Sequence, residues 1–253
     1  MIKISVIGTG NLAQHLISAF QLSDEIELVQ IFARNRDKIL DPSYSEKIVY
    51  VFEELIPVDL IIIAVSDQAI ADVSSKIPFK NSLVVHTSGT ISLDALSDSN
   101  RKGVFYPLQT FTQNKKISFT EIPICIETEN ATDFQLLEKV AKSISDKVFA
   151  INSEQRKSLH VAAVFVCNFV NHLYHIGNSI CEDNKVDFEI LKPLILETAN
   201  KILEMSPKVA QTGPAKRNDQ NIIQTHLEFL MDQNQRNIYQ VITNSILENG
   251  KEL

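Results

Sequence analysis

The chain has 253 residues, 44% of them apolar, and a formal net charge of −7, which is enough for one large domain or two modest ones, each with its own core. The acidic balance, without a long basic run, argues against nucleic acid or an anionic membrane as the main partner. No unbroken apolar run reaches the roughly 18 residues that span a bilayer, and the chain begins on a strand-like run that leaves no room for a leader. Cys125, Cys167 and Cys181 lie far apart, with no Cys-x-x-Cys spacing. They read as buried free thiols in a reducing compartment, so the expectation is a cytoplasmic protein.

Ile2, Ile4, Val6 and Ile7 form a short β-rich run that stops at Gly8, and Leu12, Leu16, Ala19 and Phe20 then recur at helical spacing. Gly8, Gly10 and Ala13 fit the G-x-G-x-x-G/A pattern. There the first glycine permits a tight turn, the second lets backbone approach a pyrophosphate, and the third position keeps helix and sheet close. Gly8, Thr9, Gly10, Asn11, Leu12 and Ala13 therefore read as a phosphate cradle at a helix N-terminus. The plainer reading is a glycine turn in some other α/β unit.

Residues 26–33 alternate as a second strand. In such units a carboxylate at this strand's tip holds the ribose of NAD, whereas arginine accommodates the extra phosphate of NADP. Here Ala33 is followed by Arg34, Asn35 and Arg36, with no carboxylate before Asp37. NADP is the expected cofactor, against the alternative that both arginines are solvated loop charges. A short strand at 48–51 precedes the apolar run 59–65, which reads as a central parallel strand. Val65 and Ser66, at its carboxyl end, should line the cofactor cleft. Residues 82–86 repeat the pattern, and His86, Thr87 and Ser88 read either as cofactor contacts or as a capped turn. Residues 103–111 are odd for an edge strand: Pro107 interrupts them, and Tyr106, Gln109 and Thr110 are polar among aromatics. Strands at 122–127 and 147–151, with a helix at 132–145 between them, complete the alternation.

From Ser153 onward the pattern is helical only, with helices at about 154–181, 188–205 and 220–249, the last allowing an interruption within it, and a break at 212–219. The expected fold is an N-terminal Rossmann domain, α/β with a doubly wound, mostly parallel sheet, over 1–152, followed by an all-α domain over 153–253. One face of the first long helix carries His160, Asn168, Asn171, His172 and His175.

The motifs 8–13, 86–89, 106–111, Leu159-His160 with Asn168-Phe169, and 212–214 with Arg217 and Asp219 resemble the Rossmann-like, short-subunit dehydrogenase-like oxidoreductases that carry a C-terminal helical domain of unknown function. That group is similar in plan to ketopantoate reductase, pyrroline-5-carboxylate reductase and the β-hydroxyacid dehydrogenases. The resemblance implies NADP binding, a small-molecule substrate at the cleft between the domains, and a helical dimerisation domain. It also carries a departure. β-Hydroxyacid dehydrogenases place a lysine four residues before an asparagine; Asn168 fits the asparagine, but Val164 stands at the lysine position. His160 is the candidate replacement as proton donor, with Asn168 orienting substrate. The competing readings are a histidine satisfied by backbone and an asparagine bonded to a neighbouring helix. His172 and His175 lack a third ligand, so no metal is expected. Arg217 and Asp219 read most simply as a pair. The extensive apolar stripes of the helices favour a homodimer. Two functions stand: an NADP-dependent oxidoreductase of a small carbonyl or imine, and a non-catalytic NADP(H)-binding sensor or structural protein.

Overall fold

A computed structural model describes residues 1–35, 42–113 and 115–249. Its elements run β1 (Ile2–Ile7), α1 (Asn11–Gln21), β2 (Ile26–Phe32), β3 (Ile48–Val49), β4 (Leu60–Ile63), α2 (Ile70–Ser75), β5 (Leu83–His86), β6 (Arg101–Pro107), β7 (Ile124–Thr128), α3 (Ala131–Lys142) and β8 (Val148–Ala150). The helices α4 (Ser153–Ala163), a π-helical turn (Val164–Phe169), α5 (Val170–Asp183), α6 (Lys192–Glu204), α7 (Pro207–Ala210), α8 (Gln220–Phe229) and α9 (Gln233–Asn249) follow.

The chain divides into compact units at 1–168 and 169–253. In the first, eight strands form one sheet in the order β3-β2-β1-β4-β5-β6-β7-β8. Every pairing is parallel except β6 with β7. This is the doubly wound arrangement expected from the sequence. Strand order reverses between β1 and β4, which puts the carboxyl ends of those two strands at the crevice where such sheets bind ligands.

Burial explains the apolar run at 59–65. All four residues of β4 are buried, and side chains alternate between faces. Leu60 and Ile62 join Phe20 and Phe105 in one core, while Ile61 and Ile63 join Ile70 and Leu96 in another. Each such side chain contributes about 1.5–3 kcal/mol, so β4 ties both helical layers to the sheet.

The structure corrects several sequence expectations. The strand around Tyr106 is interior, paired with β5 on one side and β7 on the other. Pro107 is tolerated because it is the last residue, where its missing N–H ends the ladder rather than interrupting it. The compact units divide at Asn168/Phe169, and the first turns of α4 are anchored on the sheet. Asn152 and Gln155 form a capping box at the start of α4. One turn on, Arg156 is wholly buried, paired with Glu127 of β7 and donating to the Ile91 carbonyl and to Ser153 Oγ. Glu127 also accepts from the Ser153 backbone N–H at 2.9 Å. Cys167 is exposed, whereas Cys125 and Cys181 are buried.

In the second unit, α6 is preceded by a 3₁₀ turn (Phe188–Leu191). The interruption allowed for in the last helical stretch falls at 230–232 and divides it into α8 and α9; there Asp232 Oδ1 accepts from Gln235 N–H. Arg217 and Asp219 do not pair: Asp219 caps α8 by accepting from Ile222 N–H at 3.2 Å. By length and composition the stretch Ser153–Asp183, 31 residues with a mean hydropathy of 1.3 in its most apolar window, is sufficient to cross a membrane. Counting only unbroken apolar runs had passed over it, because polar residues such as Asn168, Asn171 and His172 interrupt the stretch.

Removing one partner of a buried ion pair leaves the other charge uncompensated. Arg156→Met is therefore expected to lower the unfolding free energy by about 3–5 kcal/mol, read from the urea midpoint at unchanged slope. A loss below about 1 kcal/mol, the range of an exposed pair, would contradict the anchoring role.

Candidate functional site

The glycine turn is built from close approach. Gly8 sits at φ +129°, and a Cβ there would lie 2.1 Å from the Ala64 carbonyl oxygen at the end of β4. Only glycine satisfies both conditions. Gly10 is extended and N-caps α1 without a side-chain hydrogen bond, and a Cβ on it would meet nothing within 4 Å. The first amides of α1 thus have no internal side-chain acceptor, which leaves them to an anion, reinforced by the helix dipole. Gln14 Nε2 donates to the Thr9 carbonyl at 3.0 Å and steadies the loop. Ala13 is wholly buried, so α1 lies close to the sheet.

A cavity of about 550 Å³ opens beside this loop. Of the residues singled out from the sequence, Gly8, Thr9, Gly10, Asn11, Leu12, Ala13, Arg34, Val65, Ser66 and Thr87 line it. Phe52, stacked on Phe32 at 4.3 Å, supplies an apolar wall. Asn35 lies next to Arg34 on an exposed turn, and Arg36 falls outside the described residues. Arg34 is exposed and has no acidic partner among the described residues. Free amides for a pyrophosphate, an arginine at the tip of β2 and an apolar wall for a base together fit a dinucleotide carrying a further phosphate.

The turn after β5 is a separate construction. His86 is fully buried, and its Nδ1 accepts the Ser88 N–H at 3.2 Å. Burial first, and the nearby Arg156 cation second, push its pKa down to about 4, so the ring is neutral near pH 7. Ser88 is buried too, and its Oγ accepts from the N–H groups of Thr90 and Ile91, both at 3.1 Å. His86 and Ser88 therefore shape the turn from inside. Thr90 Oγ1 donates to Asp67 Oδ2 at 2.8 Å, which ties the turn to the segment after β4.

Gly89 occupies the middle of this turn. A Cβ there would lie 2.4 Å from His160 Nδ1 and 2.9 Å from Tyr106 Cζ, so the missing side chain is the space those rings use. Tyr106 OH and His160 Nδ1 are hydrogen-bonded at 3.0 Å, with the rings edge to face. Tyr106 is nearly buried, and burial first, with Cys125 opposite it on β7 second, holds its phenol protonated with a pKa pushed up to about 12. Arg156, four residues before His160 on α4, anchors the helix that carries the imidazole. Asn168, at the end of the π-helical turn, is exposed and hydrogen-bonds to no described residue; Val164 opens the same turn. His172 and His175 have ring centroids 6.2 Å apart, and no cluster suited to a metal occurs among the described residues.

Sequence reading passed over Tyr106, Asp67 and Arg156 as site residues. A tyrosine beside the strand-ending Pro107 was the available signal for the first. For Arg156 there was none, since an arginine on a polar helix start reads as a solvated charge.

The fold and this cavity define a dinucleotide-binding α/β protein with a helical C-terminal unit. Residues 3–89 match the family described as NADP oxidoreductase, coenzyme F420-dependent, and residues 122–246 match a domain of unknown function, DUF2520. A Bacteroides fragilis protein described as a candidate NADP oxidoreductase is 36% identical over 98% of both chains, with a TM-score of 0.87. The chain belongs to that family of NADP oxidoreductases, and its cofactor is NADP. The short-subunit designation suggested by the sequence is not specific to this family. A Thermotoga maritima protein shares the fold at 23% identity over 98% of both chains, TM-score 0.75. So does 1-pyrroline-5-carboxylate reductase of Streptococcus pyogenes, at 16% identity over 100% of this chain and 99% of that one, TM-score 0.63. No curated protein matches the chain.

Two predictions follow from the turn after β5. Gly89→Ala should break the Tyr106–His160 contact, seen as a change in the His160 ring nitrogen shifts by NMR; unchanged shifts would mean that the turn gives way instead. His86 has a folded pKa below its unfolded value. The unfolded chain therefore takes up a proton that the folded chain refuses, and stability is retained above about pH 6.5 and lost as pH falls towards 4, by about 3 kcal/mol in total. In urea titrations across that window, His86→Asn should flatten this part of the profile.

Proposed function

We propose that the protein is an NADP-dependent reductase of a small carbonyl or imine compound, with His160 as proton donor and Tyr106 as its partner. The phenol–imidazole pair built into the Gly89 notch is the observation that carries this reading. It stands at the carboxyl end of β6, on the same edge of the parallel sheet as the dinucleotide cavity, where ligands of such sheets collect. Reduced NADP supplies the hydride when bound. The first amides of α1 hold the pyrophosphate, and Arg34, with Arg36, holds the 2′-phosphate.

The chain's own task is then to place the substrate and to manage one proton. Tyr106 engages Nδ1 and fixes the imidazole, leaving Nε2 as the nitrogen without a partner among the described residues. The phenol oxygen can accept from Nδ1–H or donate to a bare Nδ1, so it holds the ring in either protonation state. An imidazolium formed there can hand its Nε2 proton to the oxygen or nitrogen that gains electron density, returning to neutral imidazole. Asn168 is assigned to orienting the substrate. The reading includes a homodimer formed through the helical unit and a cytoplasmic setting. Exposed Leu194, Leu196 and Leu203 support the former, and three free cysteines support the latter.

The test begins with nicotinamide fluorescence on titration with NADPH and NADH. NADPH should bind more tightly, and the Arg34→Ala, Arg36→Ala double variant should lose about 10- to 100-fold in that preference, the worth of charge-assisted contacts. His160→Ala should keep NADPH binding but lower turnover of small oxo acids or cyclic imines by about 10²–10⁴-fold. Absence of binding to either nucleotide would sink the reading.

A further inference from the structure

The charges around the phenol–imidazole pair are unbalanced. Arg156, Glu127 and Asp67 are the charged side chains that act on Tyr106 or on His86 beneath it. Arg156 and Glu127 are committed to each other, which leaves the Asp67 carboxylate. Asp67 forms no ion pair among the described residues, and it is exposed. One of its oxygens is fixed by the Thr90 hydroxyl at 2.8 Å, and no described residue holds the other. Thr90 is the neighbour of Gly89, whose missing Cβ admits both Tyr106 and His160. A carboxylate held by Thr90 thus stands one residue along the chain from the Gly89 notch that admits the phenol and the imidazole.

We propose that Asp67, Tyr106 and His160 form a binding site for a protonated nitrogen, with Asp67 as its counter-charge. Resting on the reading of the protein as an NADP-dependent reductase, this narrows the substrate from carbonyl or imine to an imine that takes its proton from His160, so that hydride adds to the resulting iminium and the product is an amine. The chemistry is selective in both directions. An iminium or ammonium N–H gains a charge-assisted hydrogen bond from the free Asp67 oxygen. An oxo acid would instead bring its own carboxylate against Asp67, while the buried cations among the described residues are already paired, Arg156 with Glu127 and Lys102 with Asp98. Like charges brought together in this way disfavour the wrong ligand. Thr90 orients the carboxylate, as a hydroxyl donor does for a group that must meet its ligand in one geometry.

The probes are pyrrolidinium, cyclopentanol and cyclopentanecarboxylate, titrated calorimetrically near neutral pH into the full-length protein saturated with NADP⁺. Pyrrolidinium should bind at least about tenfold more tightly than its neutral isostere, and the carboxylate more weakly than either. Asp67→Asn should erase the difference between pyrrolidinium and cyclopentanol while leaving NADP⁺ affinity within about twofold. Thr90→Val, which removes only the orienting hydroxyl, should reduce the difference and serves as the second variant if Asp67→Asn does not fold. The proposal is overturned if the wild type binds the three probes alike or not at all. It is equally overturned if Asp67→Asn preserves the preference, or changes NADP⁺ affinity alone, which would assign the carboxylate to the cofactor. Failure of NADP⁺ itself to bind would instead count against the parent reading.

Discussion

A parallel sheet delivers the carboxyl ends of its strands to one edge, and everything of chemical interest in the first unit depends on that constraint. β1, β4, β5 and β6 are paired in parallel, so Gly8, Val65, Thr87 and Tyr106, which end or follow these strands, are neighbours along a single rim. The glycine turn and the phenol–imidazole pair are far apart in sequence but are gathered by the same geometry. Two glycines then do what no other residue can. Gly8 lets the end of β1 meet the end of β4, and Gly89 lets a helix-borne histidine meet a strand-borne tyrosine.

The part of this arrangement that depends on local pattern was legible in the sequence. A β-branched run, a glycine pair and a helical repeat specify strand, turn and helix within twenty residues, and the structure forms them there. The nearly unbroken apolar run at 59–65 likewise announced a strand covered on both faces. Arg34 could be read because its position follows from the end of β2. What could not be read is whatever depends on partners distant in sequence. Arg156 meets Glu127 and Ile91, and no periodicity reports a meeting of that kind. The interior position of β6 is of the same kind: Pro107 makes residues 103–111 odd for an edge strand, and only the pairing partner on β7 shows that the proline merely ends the ladder.

The helical unit presents the opposite balance. Its helices were visible from spacing, and the break at 211–219 from its glycine and proline. The divisions inside them were not. The π-helical turn at Val164–Phe169 leaves the apolar repeat almost intact, so a reading based on repeat alone runs straight through it, and an interruption of the last helix could be allowed for without its place at 230–232. The large side chains this unit leaves in solvent, among them Leu203 and Met231, are features of a surface that a sequence pattern records as core.

The antiparallel register of β6 against β7 gives the site a built-in dependence on correct folding. Tyr106 is opposite Cys125, and Val104 is opposite Glu127. The same ladder therefore fixes both the phenol and the carboxylate that holds Arg156. Because strand side chains alternate between faces, a slip of one residue would turn Glu127 to the other side of the sheet. The helix start would lose its anchor, and the imidazole would have no reason to meet the tyrosine. A misregistered molecule would lack the pair altogether, so an error in assembling the sheet removes the phenol–imidazole contact outright instead of distorting it.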